Sequence, residues 1–308
     1  MRKKLSLVVP VYFEEEVILQ FLKETAEVLE QLPYDYEYVF IDDGSKDKTV
    51  EILTEQAQKQ DNIKLIVFSY NHGKASAVSA GIAHASGDYL LYMDPDLQDP
   101  PKEIPIFLNK IEEGYDLVWG IRKEKKDTFL NTLFSKIFWT TLNKFTGLQI
   151  PKGIAVMRIF NRSFAEEFLK YNEANRFIEG MFINISKNWT TIPISQRERF
   201  AGTSKFNFTK KMNLAFDAIF DYSELPLKIT VKIGAMITTL SIIALFCLLI
   251  MKLFFIDFQA GWPSIIATIV LGFGILLFFL GIVSLYIGRI YREVKRRPLY
   301  SIKNKINL

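Results

Sequence analysis

Tyr89-Leu90-Leu91-Tyr92-Met93-Asp94-Pro95-Asp96-Leu97-Gln98 runs from an apolar segment directly into two carboxylates with one residue between them. A short apolar run bounded by turn residues reads as a buried strand, so 89–94 is expected to be a strand that opens into an acidic loop. Runs of the same kind recur at 5–11, 38–42, 63–69 and 117–121, separated by stretches of helical period at 15–31, 49–60, 74–85 and 102–113. That alternation predicts an α/β domain with a mostly parallel sheet covered by helices. The polar residues that look chemical fall just after the strand ends, at 10–14, 42–45, 71–74 and 94–98. Ligands of open parallel sheets bind at that carboxyl edge.

Asp94 and Asp96 suit a hard divalent ion, because Mg²⁺ and Mn²⁺ bind through one or two carboxylates plus substrate phosphates. The same pattern is also ordinary turn chemistry around a proline. Asp42-Asp43-Gly44-Ser45 follows another strand and brings a second acidic loop to the same edge, although Asp47 or Thr49 reads better as a helix cap than as a ligand. Asn71-His72-Gly73-Lys74 places a glycine and a cation at the head of a helix, where free amides and Lys74 could meet phosphate or only water. His72 and His84 have no carboxylate or cysteine at ligand spacing, so neither reads as a metal ligand.

The chain has 308 residues, 49% of them hydrophobic and 23% charged, with one cysteine and a net charge of +4. These values exclude a disordered chain and a disulfide scaffold, and the basic excess is too small and too scattered for nucleic acid. Residues 233–251 carry no charge between Lys232 and Lys252, and 258–288 carry none either. At 1.5 Å per residue the first run nearly covers a hydrocarbon core of about 30 Å, and the second is long enough for a tilted span, so a two-helix hairpin is expected. Arg289, Arg292, Lys295, Arg296, Arg297, Lys303 and Lys305 follow the second run, while the connecting loop holds Asp257 and no cation past Lys252. Both ends of the hairpin are therefore expected on the cytoplasmic side, where the three Asn-x-Ser/Thr sequons at Asn161, Asn188 and Asn207 are chance matches. Amphipathic helices near 128–146 and 208–222 suit either the bilayer interface or core packing.

Val8-Val9-Pro10-Val11-Tyr12-Phe13-Glu14-Glu15, Asp42-Asp43-Gly44-Ser45, Asn71-His72-Gly73-Lys74 and Met93-Asp94-Pro95-Asp96-Leu97-Gln98-Asp99-Pro100-Pro101 resemble the family 2 glycosyltransferases of GT-A fold. Arg199-Phe200-Ala201-Gly202-Thr203-Ser204-Lys205-Phe206, Pro226-Leu227, and Tyr286-Ile287-Gly288-Arg289 before Arg296-Arg297-Pro298 are similar to the polyprenyl-phosphate subgroup of that family. This subgroup includes bactoprenol glucosyltransferases and, more distantly, dolichyl-phosphate mannose synthase. The resemblance covers nearly the whole chain in order.

It implies inverting, metal-dependent transfer of a sugar from a nucleotide diphosphate donor, by resemblance a UDP-hexose, to undecaprenyl phosphate at the cytoplasmic membrane face, for modification of an envelope polysaccharide. Carried onto this chain, Pro10, Tyr12, Glu14, Asp43 and Lys74 would line the nucleotide-sugar site. Asp94 and Asp96 would hold Mg²⁺ or Mn²⁺, with Gln98 near the donor. Arg122, Arg158, Arg199, Ser204 and Lys205 would meet the acceptor phosphate. The resemblance also implies self-association, as a tetramer.

Three positions depart from the family pattern. Ala155-Val156-Met157-Arg158-Ile159 has Val156 where many members carry an acid, Pro95 replaces a small residue, and Leu285 stands where relatives often have Glu. Because a polyprenyl phosphate is already anionic near neutral pH, its oxygen can attack without a strong base, which leaves alignment and charge balance to the protein. The expected organisation is a catalytic domain over 1–225, spans at about 230–253 and 262–288 within 226–290, and a basic tail over 291–308. A processive polysaccharide synthase and a catalytically silent nucleotide-sugar scaffold are the competing readings. The first rests on Gln196-Arg197-Glu198-Arg199-Phe200 and is opposed by the small number of spans.

Overall fold

A computed structural model describes residues 2–122, 140, 143, 146–197, 223, 225–254 and 261–308. The helix expected near 208–222, most of that near 128–146, and Arg199, Ser204 and Lys205 lie outside the described residues. The chain divides into two compact units, Met1–Ala215 with Arg297–Leu308, and Phe216–Arg296.

The first unit is built on one eight-stranded sheet. Its strands are β1 (Lys4–Val11), β2 (Asp35–Asp42), β3 (Ile63–Phe68), β4 (Tyr89–Tyr92), β5 (Leu117–Arg122), β6 (Ile154–Asn161), β7 (Trp189–Ile194) and β8 (Ile302–Ile306). They lie in the order β7-β5-β6-β4-β1-β2-β3-β8. The four strands β3, β2, β1 and β4 are parallel, β6 runs antiparallel between β4 and β5, and β8 closes the β3 edge antiparallel. Leu5, Leu7, Val8 and Val9 are wholly buried, as expected of a central strand covered by helices on both faces.

The covering helices are α1 (Ile18–Leu29), α2 (Thr49–Lys59), α3 (Lys74–His84), α4 (Ile104–Ile111), α5 (Arg162–Lys170) and α6 (Ile178–Ile185). Ile18, Phe21, Thr25 and Leu29 of α1 share one buried face at the 3.6-residue period. At the head of α5, Asn161 accepts a hydrogen bond from Phe164 N at 2.8 Å and donates to Asp116 at 2.9 Å, so the asparagine of that sequon is a helix cap.

Register sets the site. Val11 pairs with Asp42 and Asp42 with Val67, so β1, β2 and β3 end side by side, while β4 runs the same way and ends at Tyr92, opposite Val8. The loops after β1, β2, β3 and β4 therefore open on one edge.

The second unit contains α7 (Leu225–Phe254) and α8 (Trp262–Lys295). Tyr286 donates from its hydroxyl to the Ser223 carbonyl at 3.0 Å. Among the described residues one helix, Thr268–Lys295, is long and apolar enough to cross a membrane. Val231, Phe246, Leu271 and Phe278 are all more than 60% exposed, an apolar surface that water would penalise.

Candidate active site

Four loops converge at the carboxyl edge. After β1, Phe13 adopts φ +55°, its N–H donates to Ser45 Oγ at 2.9 Å, and Glu14 N donates to Thr49 Oγ1 at 2.9 Å. The loop carrying Tyr12 and Glu14 is thus tied to the one after β2. Pro10 sits one step back, buried within β1 opposite Ile41, where it shapes the floor rather than offering a polar atom.

Asp42 and Asp43 divide the work after β2. Asp42 is fully buried and accepts from Gly44 N at 3.1 Å and Ser45 N at 2.9 Å, closing its own turn. Asp43 reaches across to the next loop and accepts from His72 N at 2.6 Å and Gly73 N at 2.9 Å. Burial pushes both carboxyls above the usual aspartate range, and the backbone amides that face them only partly offset it. Gly44 makes the crossing possible. It has φ +78°, and a Cβ there would lie 2.7 Å from the backbone carbon of Tyr70.

Held this way, the loop after β3 delivers Lys74 Nζ to Asp94 Oδ2 at 2.6 Å, with the ammonium 5.7 Å from the centre of the Tyr92 ring. Burial alone would lower the Lys74 pKa, but the Asp94 carboxylate and then Tyr92 outweigh it and raise the pKa above the ordinary lysine range. Burial pushes the Tyr92 hydroxyl up to about 12, against the pull of Lys74. Lys74 is therefore a fixed positive charge.

Asp94 keeps 22% of its side chain exposed. Asp96, at 8%, lies largely beneath the surface and accepts from Gln98 N at 3.1 Å, and Leu97 between them adopts φ +58°. Among the described residues no group of three or more His, Cys, Asp or Glu side chains could hold a metal. Two hard carboxylates fit Mg²⁺ or Mn²⁺ only when a diphosphate and water supply the remaining oxygens.

Asp99, five residues beyond Asp94, is a further member of the site. It is 5% exposed, accepts from Met157 N at 2.9 Å, and its other oxygen lies 4.0 Å from Arg122 Nε. Neither that oxygen nor that nitrogen has a hydrogen-bond partner among the described residues. Burial pushes the Asp99 carboxyl up, while the Met157 amide and then Arg122 oppose the shift. Its place within Asp94-Pro95-Asp96-Leu97-Gln98-Asp99 was the available signal. Gln98 also marks where the next segment arrives, since Arg197 N donates to its carbonyl at 3.0 Å.

Arg158 lies elsewhere than on the open edge. It is 2% exposed, with its guanidinium carbon 4.5 Å from the centre of the Trp119 ring, 5.1 Å from Tyr92 and 5.5 Å from Phe182. It donates to the Val156 carbonyl at 3.0 Å and pairs with Glu179 at 3.4 Å. In this geometry it backs Tyr92 from below. Glu179 is reached only through the fold, and no spacing in the chain links it to Arg158.

This fold and this edge are those of an α/β domain with a polar site at the carboxyl ends of its parallel strands, and comparison with known proteins gives the family. The glycosyl transferase family 2 model matches residues 6–169, and the chain belongs to that family as a GT-A glycosyltransferase. It is 36% identical over 303 residues to the "Bactoprenol glucosyl transferase" of Shigella phage SfV, covering 98% of this chain and 99% of the phage protein. It is 32% identical over 307 residues to the "Undecaprenyl-phosphate 4-deoxy-4-formamido-L-arabinose transferase" of Photorhabdus laumondii, covering 99% and 94%. Among solved structures it resembles mannosyl-3-phosphoglycerate synthase from Rubrobacter xylanophilus, with a TM-score of 0.51 at 13% identity over 70% of this chain and 72% of that one.

Proposed function

We propose that this chain transfers a sugar, with inversion, from a nucleotide diphosphate donor to the phosphate of a polyprenyl lipid, undecaprenyl phosphate, at the cytoplasmic face of a membrane. One observation carries the reading: the loops after β1 to β4 are tied to each other so that Lys74, Asp94 and Asp96 gather at one edge of the sheet. Full-length similarity to proteins named for bactoprenol and undecaprenyl phosphate supports the acceptor. The name of the glucosyl transferase relative supports a hexose, and UDP as its carrier is the reading of the sequence resemblance.

In this mechanism Tyr12, Glu14 and Asp43 border the nucleotide, and Lys74 gives its fixed charge to the diphosphate. Asp94 and Asp96 would hold Mg²⁺ or Mn²⁺, which supplies charge to offset the departing diphosphate. For Asp94 this means exchanging Lys74 as its partner. Arg122, beside Asp99, presents a cation to the lipid phosphate, together with Arg199, Ser204 and Lys205 from the following segment. Val156 cannot take a proton, and none needs to be taken, because the acceptor arrives ionised. The helices α7 and α8 both cross the bilayer in this reading, with residues 297–308 returning to the cytoplasmic side. The lipid-linked product serves modification of an envelope polysaccharide.

The test is transfer by purified full-length protein given Mn²⁺, undecaprenyl phosphate and labelled nucleotide sugars. A labelled lipid of the mass of a hexosyl-phosphate polyprenol, absent with Asp96→Ala, is the expected result. No lipid product from any common donor would overturn the proposal.

A further inference from the structure

Residues 297–308 take no part in the chemistry above, yet they belong to the first unit and are fastened closely to its sheet. β8 pairs with β3 from Leu65↔Ile306 to Phe68↔Ile302. At its far end Asn307 Nδ2 donates to the carbonyls of Ala57 at 2.6 Å and Ile63 at 2.9 Å. At its near end the Tyr300 ring stacks on Phe68 with centroids 5.0 Å apart, and Ser69 N donates to the Ser301 carbonyl at 2.9 Å. Ser301 N then donates to His72 Nε2 at 3.1 Å.

His72 is the pivot of this arrangement. Its backbone N–H is held by Asp43 from within, its ring stacks on Tyr70 at 4.1 Å, and its Nε2 is held by the tail from outside. The next residue, Gly73, has φ +90° and open space where a side chain would be, so it offers the loop no packing of its own. The residue after that is Lys74, which meets Asp94.

We infer that the C-terminal strand is a working part of the donor site: Tyr300 and Ser301 are positioning residues that hold His72, and through it Lys74, in the arrangement that receives a nucleotide diphosphate. The inference rests on the donor reading proposed above. Asp43 fixes only the backbone of the loop. The tail adds the hydrogen bond that holds Nε2 of a His72 ring already stacked on Tyr70 and set edge-on to Phe68.

The experiment uses the full chain in detergent and titrates UDP, GDP and CDP with Mn²⁺ by calorimetry, alongside thermal unfolding. Tyr300→Ala is expected to weaken the nucleotide bound by the wild type about tenfold, and Tyr300→Phe, which keeps the stacked ring, to restore it. Asn307→Ala loosens the same strand at its far end and is expected to lower Tm while keeping wild-type affinity. Should Tyr300→Ala not fold, His72→Phe keeps the stacking, removes the Nε2 acceptor and is expected to weaken binding to a similar extent. Wild-type affinity in the Tyr300→Ala or His72→Phe variant, or equal weakening in Asn307→Ala, would overturn the inference alone. A wild-type protein that binds none of the three nucleotides would remove the donor reading and the inference with it.

Discussion

Replacing Gly44 by alanine tests whether the crossing of the loops after β2 and β3 is as tight as the geometry implies. Two separate costs arise. The first is backbone strain: at φ +78° an L-residue with a Cβ is disfavoured by about 1–2 kcal/mol. The second is overlap, since the new Cβ would lie 2.7 Å from Tyr70 C and 2.9 Å from both Tyr70 Cα and Asn71 N. These are backbone atoms and cannot rotate away, so the loop must move, at a cost of about 1–3 kcal/mol by analogy with overpacked cores. The sum is about 2–5 kcal/mol. Gly114 supplies the control, because it has φ +99° with nothing within 4 Å of its Cβ position and so carries the first cost alone. Urea denaturation in detergent, followed by tryptophan fluorescence, should rank Gly44→Ala below Gly114→Ala by at least 1 kcal/mol. The displaced loop carries His72 and Lys74, so nucleotide affinity should fall in Gly44→Ala and stay unchanged in Gly114→Ala. Equal stability losses in the two variants, with nucleotide affinity intact, would refute the reasoning.

Three further outcomes are expected. Glu37 is buried, paired with Lys4 at 2.6 Å and Lys64 at 3.0 Å. Burial opposes its ionisation, but Lys4, Ser6 and Ser86 outweigh burial and hold its pKa at about 2, below the ordinary 4.5. The stability it contributes, about 3 kcal/mol by linkage, is present above pH 4.5 and lost as pH falls toward 2. Melting temperatures measured from pH 5 to pH 3 should therefore fall more steeply in the wild type than in Glu37→Gln. Asp99→Asn keeps an acceptor for Met157 N and removes the charge facing Arg122. Because burial disfavours the ionised form, the variant should fold at least as stably as the wild type. Transfer should nonetheless drop about tenfold, with little further loss when Asp99→Asn is added to Arg122→Ala in a double-mutant cycle. Lys74→Met should weaken nucleotide binding by a factor that stays constant between about pH 7.5 and 9, where the diphosphate is fully ionised and the ammonium it removes remains charged; a factor that changes across that range would count against a fixed charge.

The parallel core was legible because strands buried on both faces are continuous apolar runs, and because each of the four loops ends in residues with visible chemistry. Strand β6 was not, since Arg158, expected to meet the acceptor phosphate, interrupts the apolar run of Ile154–Asn161. Its burial depends on the faces of Tyr92, Trp119 and Phe182, which come from three other elements. The strand at 302–306 was hidden for a similar reason: Lys303 and Lys305 read as part of a cationic tail, although alternation with Ile302, Asn304 and Ile306 gives a half-covered edge. Asp43 was singled out as a nucleotide residue, but nothing along the chain indicated that both its oxygens would be committed to the amides of residues 72 and 73.

The antiparallel closure of β3 by β8 also bears on synthesis. Ile63–Phe68 leaves the ribosome early, whereas the strand that covers its outer side is made only after α7 and α8. At roughly 5–20 residues per second, translation of 69–301 keeps that apolar edge unpaired for ~10–50 s. An open edge of this kind is a template for pairing with other chains. The sheet is thus completed only after the two long helices have been made, so a chain released before them carries an unfinished, adhesive sheet edge.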